Sequence, residues 1–175
     1  MIKTFIIAAL TTDGFIAQNS AHTPMNWTSK DDKARFVELT KRARVVVMGS
    51  STFKTFPKPL KDRLNIVYSR SQQFEGTETT SDEPAVLIKK LEERGFTEVA
   101  ICGGAEIYSM FMEASVVDTL YLTIEPAVFG TGITLFNKKI EAKLELVSTS
   151  KTEGGTIFNE YRVLKQDPAP TATTA

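Results

Sequence analysis

The chain alternates between short apolar runs and segments with helical periodicity, and this alternation constrains its fold more than any other feature. Continuous apolar runs are typical of strands covered on both faces, because parallel sheets in α/β proteins carry helices on each side. The predicted strands are 4–10, 44–49, 64–69, 98–104 and 118–126, and the predicted helices are 28–43, 51–56, 83–95 and 105–114. The sequence therefore predicts an α/β fold with a mostly parallel central sheet and flanking helices.

The C-terminal segment departs from this alternation. Residues 143–165 have the pattern of two strands joined around Gly154 and Gly155, which predicts an antiparallel hairpin at one edge of the sheet. Because no internal repeat or linker interrupts the chain, we expect a single domain over residues 1–166. The final stretch, 167–175, is small, polar and rich in proline, a composition that favours disorder.

Charge and cysteine content narrow the class of partner. The formal net charge is zero, so the charge balance does not indicate nucleic acid or an anionic membrane surface as the main partner. No apolar run approaches the roughly 20 residues of a membrane-spanning helix, and the start "MIKTFIIAAL" is more typical of a buried strand than of a signal peptide. The single Cys102 rules out an intrachain disulfide and suits a reducing compartment. These features favour the cytoplasm, and we further expect a monomer that acts on a small molecule and binds no metal.

Three strand-to-helix junctions carry small or hydroxyl-bearing residues that suit phosphate binding. They are "VVVMG-SSTF" at 45–53, "NIVY-SRS" at 65–71 and "VAIC-GGAEIY" at 99–108. Ligands of open α/β sheets bind beyond the carboxyl ends of the strands, where helix N-termini favour anions. One glycine after a strand is usually only a turn residue, but three such junctions in one sheet predict a phosphate-rich ligand. Gly103-Gly104 is not the G-x-G-x-x-G pattern of a Rossmann fold.

Asp32 has two alternative roles at this stage. Ser29-x-x-Asp32 fits an N-terminal capping box, in which Asp32 would only stabilise the helix. Alternatively, its carboxylate lies in the first helical turn after Trp27 and points into an apolar cleft. There it could bind the paired N–H donors of a heterocycle. The neighbouring Asp31 is expected to face solvent.

Several motifs together resemble dihydrofolate reductases in their order and spacing. They are "AALTTDGFIA", "MNW" followed by Asp32 and Phe36, "VVMGSSTF", "PLKDRLNIVYSR", "GGAEIY" and "LYLT". The similarity runs from about residue 4 to 136 and more loosely through the final hairpin. It implies a dihydrofolate reductase-like fold and the NADPH-dependent reduction of 7,8-dihydrofolate to 5,6,7,8-tetrahydrofolate.

The resemblance also implies roles for individual residues. The implied catalytic residues are Asp32 as the pterin-binding carboxylate, Thr123 bonded beside it, and Trp27 at the end of a mobile loop. Besides Asp32 and Thr123, the implied substrate-binding residues are Ile7, Ala9, Phe36, Leu60, Cys102 and Arg63, the last pairing with the glutamate α-carboxylate of folate. The implied cofactor-binding residues are Ala9, Ile16, Gly49, Ser50, Ser51, Thr52, Ser69, Arg70, Gly103, Gly104, Ala105, Glu106, Ile107 and Tyr108, and the Gly103–Gly104 peptide is expected to be cis.

Some positions depart from the family pattern. Ser50 stands where the family often places a cation facing the cofactor 2′-phosphate, and Arg70 on the next strand is the candidate to replace it. Lys33 stands where an apolar residue is usual, and the loop at 17–25 is longer than in short bacterial enzymes.

Two motifs leave an alternative function open. "TTDGFIA" and "EPAVFGTGITLF" also resemble the reductase domain of riboflavin biosynthesis. That domain shares the fold and NADPH but reduces a ribosylaminopyrimidine phosphate. A non-catalytic nucleotide-binding module of the same fold is the other alternative.

Overall fold

The computed structural model describes residues 1–165, so the expectation for 167–175 concerns residues outside the described range. Ten strands lie in this range. They are β1 Lys3–Thr11, β2 Phe15–Ala17, β3 Val45–Gly49, β4 Leu64–Tyr68, β5 Glu78–Thr80, β6 Glu98–Ile101, β7 Thr119–Glu125, β8 Ile133–Thr134, β9 Lys143–Lys151 and β10 Ile157–Leu164. The helices are α1 Lys30–Ala43, α2 Ser50–Phe53, α3 Pro84–Glu93 and α4 Ala105–Glu113, with a 3₁₀ helix at Pro24–Asn26.

Eight of these strands form one central sheet in the order β5-β4-β3-β6-β1-β7-β10-β9. The pairs β1–β6, β1–β7, β3–β4, β3–β6 and β4–β5 are parallel. β10 is antiparallel to both β7 and β9, and the turn of this hairpin contains Gly155 with a φ of +86°. The predicted mostly parallel sheet with an antiparallel C-terminal hairpin is therefore confirmed.

The helices cover both faces of the sheet, which explains the continuous apolar runs. Alternate residues of a strand point to opposite faces. Val45 and Val47 of β3 accordingly pack in the cluster that includes α3 and α4, whereas Val46 and Met48 pack in the cluster that includes α1 and α2. None of the helices within residues 1–165 combines the length and the apolar character needed to cross a bilayer.

The sequence prediction differs from the structure in short elements. The strand predicted at 98–104 ends at Ile101, because the chain turns at Gly103, whose φ is +108°. β2, β5 and β8 were not predicted, since segments of two or three residues are too short to show a period of two. β2 and β8 form a separate two-stranded sheet that fixes the start of the 17–25 loop.

Candidate active site

The carboxyl ends of the parallel strands open into a cleft of about 710 Å³. All three junctions singled out in the sequence meet there. Every residue that the resemblance implied for cofactor binding lines this cleft: Ala9, Ile16, Gly49, Ser50, Ser51, Thr52, Ser69, Arg70, Gly103, Gly104, Ala105, Glu106, Ile107 and Tyr108. The structure thus brings the whole set together at one site, and its part in cofactor binding stays a prediction.

Two glycine junctions are packed directly against each other at the floor of the cleft. The N–H of Gly49 donates to the carbonyl oxygen of Gly103 at 2.8 Å, and the Gly103–Gly104 peptide is cis, as expected. A Cβ on Gly103 would lie 3.0 Å from the Tyr108 hydroxyl, and one on Gly104 would lie 3.3 Å from Oγ1 of Thr52. Because neighbouring side chains already fill this space, a substitution at either glycine would displace them.

The first turn of α4 offers backbone donors to an anion. Its N-cap is Gly104, which has no side chain to satisfy the first N–H groups of the helix. Ala105 and Glu106 follow at the cleft wall. Unpaired N–H groups and the positive end of the helix dipole attract negative charge. This end of the cleft therefore fits the pyrophosphate of a dinucleotide.

Arg70 lies at the outer end of the cleft and is exposed. It is the only arginine or lysine among the lining residues of the described chain. It takes part in none of the ion pairs found in residues 1–165, whereas Asp82, another lining residue, pairs with Lys90 at 2.8 Å. Arg70 is therefore available to a bound anion, while Ser50 adds no charge.

Asp32 lies at the start of α1 with 9% of its surface exposed. Burial raises the pKa of its carboxyl, and this outweighs the hydrogen bonds from Thr123 and Thr28, which lower it. The Thr28 hydroxyl donates to the carbonyl oxygen of Pro24 at 3.0 Å, so of these two hydroxyls Thr123 is the one with a proton left for Asp32 or its ligand. A buried carboxylate beside one hydroxyl has acceptor capacity left for a ligand.

The capping box predicted for Asp32 is only half formed. The Ser29 hydroxyl accepts the N–H of Asp32 at 3.1 Å, so Ser29 is the N-cap. The second bond of a capping box, to the N–H of Ser29, is not made by Asp32. Instead, the Glu125 carboxylate accepts the N–H of Ser29 at 2.9 Å and its hydroxyl at 2.7 Å. The carboxylate of Asp32 therefore takes no part in capping. Asp31 is exposed, as expected.

An apolar cluster lies one helical turn along α1 from Asp32. Phe36 stacks on Phe56 with ring centroids 6.3 Å apart, and Leu60 packs beside them. Ile7 and Cys102 are buried on the sheet below. Burial raises the pKa of the Cys102 thiol to about 12, so the thiol stays neutral and forms part of an apolar wall.

Arg63 is held against α1 without an acidic partner in the described chain. Its Nε donates to the carbonyl oxygen of Lys61 at 2.9 Å and its Nη1 to Oγ1 of Thr40 at 2.8 Å. The buried Asn65 fixes the loop by donating to the carbonyl oxygens of Leu60 and Arg63. No ion pair within residues 1–165 includes Arg63.

The dihydrofolate reductase family model matches residues 3–165. The chain belongs to the dihydrofolate reductase family. A dihydrofolate reductase of Neisseria meningitidis is 36% identical over 115 residues, which cover 64% of this chain and 67% of that protein. The resemblance stated from the motifs is confirmed, and the family places the chain among reductases of the dihydrofolate reductase type.

Solved structures show the same fold in two kinds of reductase. Dihydrofolate reductase from Enterococcus faecalis, complexed with NADP(H), superposes with a TM-score of 0.76 at 24% identity, over 93% of this chain and 97% of that one. A diaminohydroxyphosphoribosylaminopyrimidine deaminase/5-amino-6-(5-phosphoribosylamino)uracil reductase from Thermotoga maritima gives 0.76 at 15% identity, over 93% and 57%. At these identities the likeness establishes the fold, and both substrate classes stay open.

Trp27 belongs to an aromatic cluster that the sequence did not predict. Its ring lies edge-on to Phe129 at 5.0 Å, and His22 stacks near both rings at 6.3 Å from Trp27 and 5.4 Å from Phe129. The carboxylate of Asp13 accepts the N–H of Gly130 at 2.7 Å. These contacts hold the 17–25 loop of this dihydrofolate reductase relative over the cleft.

Residues 1–165 contain no cluster of three or more His, Cys, Asp or Glu side chains placed to hold a metal ion.

Proposed function

We propose that the chain catalyses the NADPH-dependent reduction of 7,8-dihydrofolate to 5,6,7,8-tetrahydrofolate. One observation carries the proposal. Ala9 of β1 lines the cofactor-side cleft, and its register partner on β7 is Thr123, whose hydroxyl lowers the pKa of Asp32. The buried carboxylate and the phosphate-binding cleft are therefore one strand apart, which is the adjacency that hydride transfer between two bound rings requires.

Each residue of the pocket would have a defined task. When bound, NADPH supplies a hydride from its nicotinamide ring. Asp32 would accept the 2-amino and N3 hydrogens of the pterin and so fix its orientation, and Thr123 would keep the carboxylate in place. Phe36 and Cys102 would exclude bulk water from the ring. Since Asp32 binds the far edge of the pterin, a water molecule would deliver the proton to N5.

The cofactor site supports a phosphorylated nicotinamide. The first N–H groups of α4 suit its pyrophosphate, and Arg70 is the cation available for a 2′-phosphate. The bound NADP(H) in the Enterococcus faecalis neighbour supports the same assignment here.

A second candidate function is the reduction of a ribosylaminopyrimidine phosphate. Lys33 and Arg63 both lack an acidic partner in the described chain. Lys33 lies two helical turns before Thr40, which binds Arg63, so the two cations flank the same side of α1 about 10 Å apart along the helix. Such a pair of cations can bind the phosphate of this substrate at least as well as it can bind the glutamate carboxylate of folate.

The test is a spectrophotometric assay of NADPH oxidation with each substrate. The proposal predicts turnover with 7,8-dihydrofolate and at least 100-fold lower kcat/KM with the ribosylaminopyrimidine phosphate, on the order of one lost set of oriented hydrogen bonds. The reverse preference would assign the riboflavin-type activity. Tight NADPH binding with turnover of neither substrate would indicate a nucleotide-binding module.

A further inference from the structure

Glu125 is a buried carboxylate to which the proposed reaction assigns no role. It ends β7, and 3% of its surface is exposed. Its Oε1 accepts the N–H and the hydroxyl of Ser29 at 2.9 and 2.7 Å, and its Oε2 accepts the hydroxyl of Thr156 at 2.9 Å. No ion pair within residues 1–165 includes Glu125, so neutral donors alone hold this carboxylate.

The bond from Ser29 to Glu125 replaces the one that Asp32 would otherwise accept. In a capping box the side chain at the third helical position accepts the N–H of the N-cap residue. Here Asp32 occupies that position and Ser29 is the N-cap, yet the N–H of Ser29 donates to a residue 96 positions away. The Asp32 carboxylate is consequently available to Thr123 and to a ligand.

We propose that Glu125 is a positioning residue for Asp32: by capping Ser29 from β7, it keeps the Asp32 carboxylate available to a ligand instead of bonded to the end of its own helix. The activity readout of this inference rests on the proposed function. Its structural readout does not, because the titration midpoint of the Asp32 carboxyl can be measured by NMR in the protein without substrate.

A charge effect follows from the same geometry. The ionisable groups that interact with Asp32 are Arg35 on its own helix, Glu125 on β7 and Tyr108 on α4. After burial, the negative charge of Glu125 raises the pKa of Asp32, and Arg35 lowers it. Removing the charge of Glu125 should therefore lower the pKa of Asp32, because a like charge no longer opposes ionisation.

The experiment compares Glu125→Gln with Thr156→Val. The glutamine keeps the size and an acceptor for Ser29 but removes the charge. The valine removes the 2.9 Å bond to Oε2 and leaves the charge in place. Carbon-13 NMR titration of the Asp32 carboxyl, assigned with Asp32→Asn, should give a lower midpoint in Glu125→Gln than in wild type. Thr156→Val should leave the midpoint close to that of wild type.

The pH profile of turnover provides the second readout. Turnover needs the ionised Asp32 carboxylate, so the acid limb of the profile should move to lower pH in Glu125→Gln, in the same direction as the NMR midpoint. The KM for NADPH should stay unchanged. Equal midpoints in wild type and Glu125→Gln, or equal shifts in both variants, would overturn the proposal and leave Glu125 a purely structural group.

A third variant covers the case in which Glu125→Gln does not fold. Glu125→Asp keeps the charge and withdraws the carboxylate from Ser29 by one methylene. The positioning role predicts a lower kcat at every pH, and an unchanged kcat would contradict it. If wild type does not turn over dihydrofolate but the NMR signal of the Asp32 carboxyl changes in Glu125→Asp, which keeps the charge and weakens the cap, the proposed function fails while the positioning role stands.

Discussion

The cofactor side and the substrate side of the cleft are built in different ways. The cofactor side lies at the ends of β3, β4 and β6, where Gly49 bonds to Gly103 and the first turn of α4 presents backbone N–H groups. The substrate side consists of side chains brought together from distant segments, such as Asp32 on α1 and Thr123 on β7. Backbone donors bind any phosphate placed against them, whereas side chains select a particular ring or tail. Specificity in this family member should therefore reside on the substrate side.

The two sides also differ in their tolerance of change. The glycines on the cofactor side have Tyr108 and Thr52 within about 3 Å of where a Cβ would lie, so the local backbone admits few substitutions. On the substrate side, Lys33 is half-buried and belongs to no ion pair within residues 1–165, so fewer contacts constrain its side chain. Substitutions on each side should accordingly affect different steps, and four measurements test this.

The largest expected effect is on the substrate side. Asp32→Asn should lower kcat for dihydrofolate by about 100-fold or more, the scale of a group that assists proton transfer. NADPH affinity, measured by fluorescence, should hardly change, because Asp32 does not line the cofactor-side cleft. Asp31→Asn is the matched control, since Asp31 is the adjacent and exposed carboxylate. Full activity in Asp32→Asn together with loss in Asp31→Asn would refute the assignment.

Arg63→Leu should have the next largest effect. Loss of one charge-assisted hydrogen bond of about 2 kcal/mol corresponds to roughly 30-fold weaker dihydrofolate binding. Lys61→Leu removes the same charge from an exposed neighbour and serves as the control. The Arg63 variant should bind a dihydropterin without the glutamate tail as tightly as wild type does. An equal loss for both ligands would show that Arg63 supports the pocket and does not bind the tail.

Arg70→Ala tests the cofactor side. Arg70 is exposed, so we expect the lower end of the range for a charged contact, about tenfold weaker NADPH binding. NADH lacks the 2′-phosphate and should lose almost nothing, and kcat at saturating NADPH should be unchanged. The ratio of kcat/KM for NADPH over NADH is the measurement. A ratio equal to that of wild type would exclude Arg70 as the residue that recognises the 2′-phosphate.

The difference between the two sides also explains which features the sequence could predict. Gly49, Ser69 and Gly103 lie within a few residues of apolar strands, and local motifs were enough to place them at one edge of the sheet. Glu125 was missed because its contact with Ser29 spans 96 residues and depends on the register of β7. From the sequence alone, Ser29-x-x-Asp32 satisfies the capping-box pattern. Only the structure shows that Glu125, and not Asp32, accepts the N–H of Ser29.

The smallest expected effect concerns stability. Because the folded-state pKa of Asp32 is raised, folded protein retains a proton on this carboxyl at pH values where the unfolded chain has lost it. Stability therefore falls as pH rises from the unfolded to the folded pKa and does not recover above it. Asp32→Asn carries no charge, so its unfolding free energy should equal or exceed that of wild type at about pH 8, and the difference should shrink toward about pH 4. Urea unfolding at both pH values gives the comparison. A variant that is less stable at about pH 8 than wild type would mean that the hydrogen bond from Thr123 outweighs burial, and the buried charge would then contribute to folding as well as to binding.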